Sequence, residues 1–429
     1  MRRVKKLRKK NQNRIKIKGL VIAILVSFTF SAVVCPSACA ASIWDKTYGG
    51  AEDDTAAGET VQASDGGYAI LGDTSSFGAG GSDFWLIKTD ADGNMQWNKT
   101  YGGTGTETSG DMCLTSDGGY AMSGYTTSIG AGGQDFWLVK TDAAGNMLWN
   151  KTYGGTGNEY AYHVEQSLDG GYALLGQTNS FGAGNNDFWL VKTDASGIME
   201  WNMTYGGTGN DVGIHVLQTV DGGYALVGST SSFGAGSNDA WLIKTDAAGN
   251  MEWNQTYGGT GYDGGQCVEK TSDGGYAIAC ITTSFGAGSL DSWLVKIDSS
   301  GNMEWNMTYG GTGSDGPTHF IQTEDDGYAI VGFTTVGSDQ NASLIKTDAF
   351  GNMEWNQTYG GTGAEISYAL LETSDGYYLL TINTDSFGAG GDDIWLVKTI
   401  PEGLTTGVMI LLSTVAAIVG IRYLRKRPK

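Results

Sequence analysis

The run Trp97-Asn98-Lys99-Thr100-Tyr101-Gly102-Gly103 opens a unit that continues through T-S-D-G-G-Y-A-M-S-G (Thr115 to Gly124) and S-I-G-A-G-G-Q-D (Ser128 to Asp135) to F-W-L-V-K-T-D-A-A-G-N (Phe136 to Asn146). Three residues later the pattern starts again at Trp149. Trp44, Trp97, Trp149, Trp201, Trp253, Trp305 and Trp355 each begin such a unit, at spacings of 53, 52, 52, 52, 52 and 50 residues. A second set, Trp85, Trp137, Trp189, Trp241, Trp293 and Trp395, falls near the end of six units, and Ser343 stands where the seventh is expected. Two repeat positions therefore account for all 13 tryptophans.

Each unit holds four short runs of strand character separated by turn signals: D-G-G, S-F-G-A-G, D-x-G-N and G-G. Four strands at a period near 50 residues predict the blades of a β-propeller, each too thin and too apolar on both faces to be stable alone. The array begins with a W-x-x-T-Y-G-G strand at Ile43 and ends with a W-L-V-K strand at Trp395 to Lys398, so the chain starts and stops inside a blade. The expected fold is all-β: a seven-bladed β-propeller over residues 41–400, its four-stranded blades closed by the N-terminal strand. A solenoid would instead carry distinct polar caps at its ends.

The segment Asp142-Ala143-Ala144-Gly145-Asn146-Met147-Leu148-Trp149 resembles the tryptophan-docking segments of quinoprotein-like propellers. That resemblance implies a blade-packing role for Trp44, Trp97, Trp149, Trp201, Trp253, Trp305 and Trp355. Across residues 43–399 the unit is also similar to the tandem repeats of secreted and surface-anchored propeller proteins of archaea and bacteria. The likeness speaks to fold, since propellers host many chemistries.

Both ends read as targeting segments. Ten Lys and Arg within the first 18 residues precede an apolar run, Gly19 to Val34, and Ala38-Cys39-Ala40 has the form of a signal-peptidase site, so residues 1–40 are expected to be a signal peptide. Residues 404–421 form an uncharged, largely apolar stretch of near-spanning length, followed by a basic tail, 422–429. Basic flanks stay cytoplasmic, so the expectation is a single-pass membrane protein with the propeller outside at the cell surface. The tail also resembles C-terminal sorting signals of surface proteins. Between the ends, eleven Lys and no Arg face all 46 Asp and Glu. A field of that sign repels nucleic acid and attracts cations or basic proteins.

Three sets of residues are candidate sites. Asp54, Glu107, Glu159, Asp211, Asp263, Asp315 and Glu365 follow the G-G turn in every unit. They suit either a carboxylate ring for a cation such as Ca2+ or acceptors for the turn's own N–H groups. The S-F-G-A-G-x-x-D loop of the same face ends in Asp83, Asp135, Asp187, Asp239, Asp291 and Asp393, with Phe77, Ile129, Phe181, Phe233, Phe285 and Phe387 as exposed contacts or plugs between blades; the sixth copy is two residues shorter. Third, a column nine residues before the repeat tyrosine reads Glu59, Asp111, His163, His215, Cys267, His319 and Ala369, and holds every histidine of the chain. Inner strands flank a propeller's channel, so these are candidate metal ligands.

Asn98, Asn150, Asn202, Asn254, Asn306 and Asn356 begin N-x-T on the outermost strand, and Asn341 begins N-x-S, all candidate glycosylation positions. Cys267 and Cys280 flank the Asp273-Gly274-Gly275 hairpin, a candidate cross-strand disulfide. No nucleophile elbow, zinc-protease, Walker or EF-hand motif is present. The expected role is a non-enzymatic binding, adhesion or envelope-scaffold module with a glycan, matrix or envelope-protein partner. The alternatives are an extracellular metal-assisted enzyme using the channel column and a purely structural envelope protein.

Overall fold

The computed structural model describes residues 42–400; the expected signal segment, apolar segment 404–421 and basic tail lie outside them. Among the described residues no helix is long and apolar enough to cross a membrane. Twenty-eight strands pair into seven four-stranded antiparallel sheets. Blade two is representative: inner strand Glu107–Leu114, second strand Tyr120–Thr126, third strand Asp135–Thr141 and outer strand Met147–Tyr153. In blade seven the outer strand is Ser42–Tyr48, which pairs with Asp393–Thr399 from the other end of the array. The seven inner strands neighbour one another in order, and the first also meets the seventh, so the ring is closed.

No blade has a core of its own. The clusters of buried apolar side chains each join the second and third strands of one blade to the next: Ala69, Leu71, Phe84 and Leu86 of blade one meet Met112, Met122, Trp137 and Val139 of blade two. Every residue of the third strands Asp83–Thr89, Asp135–Thr141, Asp187–Thr193, Asp239–Thr245 and Asp291–Ile297 is buried, as expected of strands covered on both faces. In blades one and two the third-strand phenylalanine packs at a tilt against the tryptophan of the following blade, with ring centroids 4.7 Å apart for Phe84–Trp137 and Phe136–Trp189.

The outer strand supplies a second lock. Its tryptophan leans on the repeat tyrosine of the next blade, 5.8 Å between centroids for Trp149–Tyr172 and 6.2 Å for Trp44–Tyr68. Its tyrosine donates a hydrogen bond to a glycine carbonyl in the next blade's D-x-x-G turn: Tyr48 to Gly93, Tyr101 to Gly145 and Tyr153 to Gly197, each at 2.6 Å. That glycine must lack a side chain. Gly145 has φ 73°, and a Cβ there would lie 2.7 Å from Trp97 Cζ3.

Charged residues are also fixed by the ring. Lys88, Lys140, Lys192, Lys244, Lys296, Lys346 and Lys398 are buried near the ends of the third strands and pair with the aspartates of the D-G-G-Y turns, Lys88 with Asp65 at 2.8 Å and Lys140 with Asp117 at 2.9 Å. These seven take most of the eleven lysines available. Between blades one and two, Asp73 accepts bonds from Ser109 N and Oγ, both 2.7 Å. Burial pushes its carboxyl up to about 7 against those two donors.

Gly145→Ala should lower unfolding stability by about 2 kcal/mol, from the left-handed backbone and the collision with Trp97 together, read as a shifted denaturation midpoint. Asp73 holds its proton in the folded ring to about pH 7, whereas an unfolded aspartate loses it near ~3.9. The native state therefore binds more protons across that window, and stability falls as pH rises through it. Asp73→Asn should flatten this loss in melts taken from pH 4 to pH 8; Asn383 already plays the same part in blade seven, accepting from Ala56 N at 2.6 Å.

Candidate functional site

The column of potential ligands lies on the inner strands, and a β-bulge aims it. In blades two to seven the inner strand slips register by one residue just before the column position: Ala161 pairs with Gly176 but His163 with Leu175, leaving Tyr162 unpaired. The same shift precedes Asp111, His215, Cys267, His319 and Ala369. A bulge turns two consecutive side chains toward one side. Tyr162 with His163, Ile214 with His215 and Thr318 with His319 accordingly line one cavity of about 280 Å³ on the central axis, to which all seven inner strands contribute.

Glu59 departs from the expected column. In blade one the slip is wider, from Ala56 to Thr60, so Glu59 has no ladder partner; it follows Gly58, whose φ is 61°. It still reaches the cavity, 3.4 Å from His319 Nε2, with its own N–H bonded to Asp111 Oδ1 at 2.7 Å. In blade seven the cavity is lined by Tyr368, while Ala369 is buried. The other column members converge: His163 Nε2 is 3.2 Å from Asp111 Oδ2, and the rings of His163 and His215 are 3.8 Å apart.

Burial sets the electrostatics of this cluster. It holds His215 well below the usual imidazole range, an effect that the neighbouring His163 and His319 reinforce. Burial also raises the Asp111 carboxyl, partly offset by His163, and raises the Cys267 thiol. His319 is the exception: burial pulls it down, but Cys267 and Glu59 outweigh that and lift it above its ordinary value. Glu59 is pushed up by burial and brought below its ordinary value by the His319 hydrogen bond and charge. Ligand atoms of His215, Cys267 and His319, and separately of Glu59, His163 and His215, lie within 4.8 Å of one another.

The acidic loop residues are placed differently from an open cation ring. Asp54, Glu107, Glu159, Asp211, Asp263, Asp315 and Glu365 are the first residues of the inner strands and are buried. Each accepts from the second glycine N–H of its own G-G turn, at 2.7 Å for Glu107 and Asp263, and from the threonine that ends the second strand. Asp83 and its counterparts likewise cap their own loops, Asp83 Oδ2 accepting from Ala79 N at 2.7 Å. The two carboxylates crowd the turn between them: a side chain on Gly102 would collide with both Asp83 and Glu107. These aspartates and glutamates bond the scaffold, while Oδ1 of Asp135, Asp187 and Asp393 is buried with no hydrogen-bond partner. The phenylalanines of the same loops are 39–46% exposed and rest on the tryptophan of their own blade, 5.4 Å for Phe77–Trp85.

The expected disulfide is absent. Cys267 and Cys280 are free, because Cys267 pairs with Ala279 in the ladder and so lies on the opposite face of the sheet from Cys280; the two thiols enter different interblade clusters. Asn98, Asn150, Asn202, Asn254 and Asn306 each accept a hydrogen bond from the tryptophan indole of the third strand, 3.0–3.3 Å. Their amide nitrogens face methionine sulfur at the exposed edge, the side on which a glycan would attach. Asn341 and Asn356 lie in blade six. There Ser343 replaces the tryptophan, and a cavity of about 300 Å³ opens beside Ser343, Ile345 and Asn356. The bulge residues Tyr162, Gln266, Thr318 and Tyr368 were not legible as cavity lining; for three of them the signal is a pair of consecutive polar or aromatic residues, Tyr162-His163, Gln266-Cys267 and Thr318-His319.

No family model matches the chain. Over 203 residues it is 25% identical to the regulatory protein FlaEY of Caulobacter vibrioides, covering 44% of this chain and 20% of that protein, so the chain spans about a fifth of that curated relative's length. A chain of the Mitotic Checkpoint Complex has a TM-score of 0.54 at 10% identity, covering 86% of this chain and 98% of that one. An α-L-arabinanase of Penicillium chrysogenum (TM-score 0.45, 12% identity, 82% and 98% coverage) and the β-propeller domain of the Trilobed protease from Pyrococcus furiosus (0.43, 9%, 83% and 94%) are also similar. At these identities the likeness concerns fold alone.

The blade-six cavity gives a direct test of how the third-strand tryptophan acts. Ser343→Trp should fill it, with Asn356 placed as the indole acceptor, and raise stability by about 1–2 kcal/mol in chemical denaturation; an unchanged or lowered midpoint would show that blade six has repacked around serine.

Proposed function

We propose that this chain is a non-enzymatic binding propeller carried on the outside of a cell, and that it takes neutral glycans on the face bearing the S-F-G-A-G loops. The observation that carries this reading is the circle of Phe77, Phe181, Phe233, Phe285 and Phe387, with Ile129 in blade two, each 39–48% exposed at the same position of its blade. Each phenylalanine is braced on a buried or half-buried tryptophan, with centroids 4.8–5.4 Å apart. A braced ring loses little entropy when a ligand stacks on it. Flat aromatic faces suit the C–H faces of sugar rings. Identical sites at fixed angular spacing suit a polymer of identical units, where linked contacts multiply affinity without new chemistry.

The acidic excess argues against anionic polymers and nucleic acid. The expected exported topology, the apolar segment at 404–421 and the likeness of the repeats to surface-anchored and quinoprotein-like propellers support an outward-facing, membrane-held module. A glycosylated outer edge at Asn98 and its counterparts is compatible with that setting. The second reading, a metal-assisted enzyme working in the channel, is favoured by the buried histidine cluster alone.

Full-length protein in detergent should bind immobilised neutral polysaccharides built from glucose, mannose or galactose, and bind sulfated or uronic-acid polymers less. Single Phe→Ala changes should weaken retention modestly and the fivefold variant should abolish it, with little change in melting temperature because the rings are half exposed. Undiminished retention by the fivefold variant would overturn the proposal.

A further inference from the structure

The channel cluster carries its own inference, independent of what the outer face binds. His215 is 7% exposed, and neither of its ring nitrogens has a hydrogen-bond partner. An unpaired buried polar atom costs about 1–3 kcal/mol, so such a side chain points to a ligand that completes it. The strands of blades four, five and six present His215, Cys267 and His319 at one level, all buried, with ligand atoms within 4.8 Å of one another. Zinc bonds of about 2.0–2.3 Å in a tetrahedron set ligand separations of about 3–4 Å, so side-chain rotation suffices to close the site. Two imidazoles and a thiol form a borderline-to-soft set, suited to zinc and poorly suited to calcium or magnesium.

We propose that the channel holds one zinc-class divalent ion on His215, Cys267 and His319, with the fourth position facing the central cavity. Cys267 binds as thiolate, its proton passing to solvent as the metal–sulfur bond forms. Glu59, 3.4 Å from His319 Nε2, stands where it orients that ring or a metal-bound water. The competing triad of Glu59, His163 and His215 is the weaker choice. His163 Nε2 already faces Asp111 at 3.2 Å, and Glu59 leaves 37% of its side chain open. The ion would tie three adjacent inner strands together, so occupancy stabilises the ring by mass action.

The test uses full-length protein in detergent, stripped by chelator, titrated with Zn2+ by calorimetry and with Co2+ by absorption. Cys267→Ala is the informative variant because Ala369 already occupies the same position in blade seven. Wild type should bind one Zn2+ per chain, melt at a higher temperature when loaded and show thiolate-to-cobalt charge-transfer absorption. Cys267→Ala should lose that absorption and weaken zinc binding by more than the ~10–100-fold that loss of an outer-shell partner costs. Folding of the variant is checked by circular dichroism; if it fails to fold, the wild-type cobalt spectrum decides alone. Absence of zinc binding, cobalt bound without the thiolate band, or equal zinc affinity in Cys267→Ala would each overturn the assignment, the last by moving the ion to Glu59, His163 and His215.

Discussion

Everything in this molecule depends on apolar packing between blades. Each buried cluster takes residues from two adjacent sheets, and a sheet removed from the ring would expose large side chains on both faces. Stability is therefore a property of the closed circle. The last contact of the circle cannot be made by consecutive chain. Ser42–Tyr48 supplies it by pairing with Asp393–Thr399, which joins the two ends of the array by backbone hydrogen bonds. The Tyr48 hydroxyl then engages Gly93 as the tyrosines of blades one to five engage their glycines, whereas Tyr359 of blade six bonds Gln357 Oε1 and Thr399 Oγ1.

That dependence explains which parts of the repeat are invariant. Tryptophan, tyrosine and the D-x-x-G glycine meet across blade boundaries, where a change in one must be matched by the next blade. The first glycine of Y-G-G answers a tighter demand. Two carboxylates cap adjoining loops there, and no Cβ fits between them. Buried carboxylates are costly unless bonded, and each accepts at least two hydrogen bonds, from its own loop or from the threonine at the end of the second strand. The acidity of the chain is thus partly structural, used to hold glycine-rich loops that have no side chains with which to hold themselves.

Blade number, closure and the strands were legible in the sequence because seven copies repeat one signal and the phase of the first and last copies is visible in Trp44 and Trp395. Orientation was less legible. The acidic residue after G-G has the same identity whether it faces solvent or folds back on its turn, and only the geometry shows the latter. The bulge was hidden for a similar reason: its mark, a pair such as Tyr162-His163, differs in every blade. Glu59 aligned with the column by counting back from Tyr68, yet the wider bulge at Ala56–Thr60 took it out of the ladder. The Cys267–Cys280 pairing failed on strand parity, which counting across a hairpin does not reveal when one strand carries an extra residue.

The channel column is where the constraint of interblade packing is weakest, and where the blades differ most. A symmetric ring with a symmetric column would give seven copies of one group on the axis, all of one charge or all apolar. Divergence there to Glu59, Asp111, His163, His215 and His319 instead concentrates unlike groups in one cavity of about 280 Å³, with Cys267 buried behind its wall. Stability does not ask for this arrangement. Buried ionisable groups are more often tolerated than stabilising, and Ala369 shows that a small apolar residue satisfies the same strand position. The bulge adds to the argument, since it costs ladder bonds in every blade while turning two residues inward at each step. A scaffold that is repetitive wherever blades touch and heterogeneous on its axis has its freedom to specialise at the one place where seven strands converge.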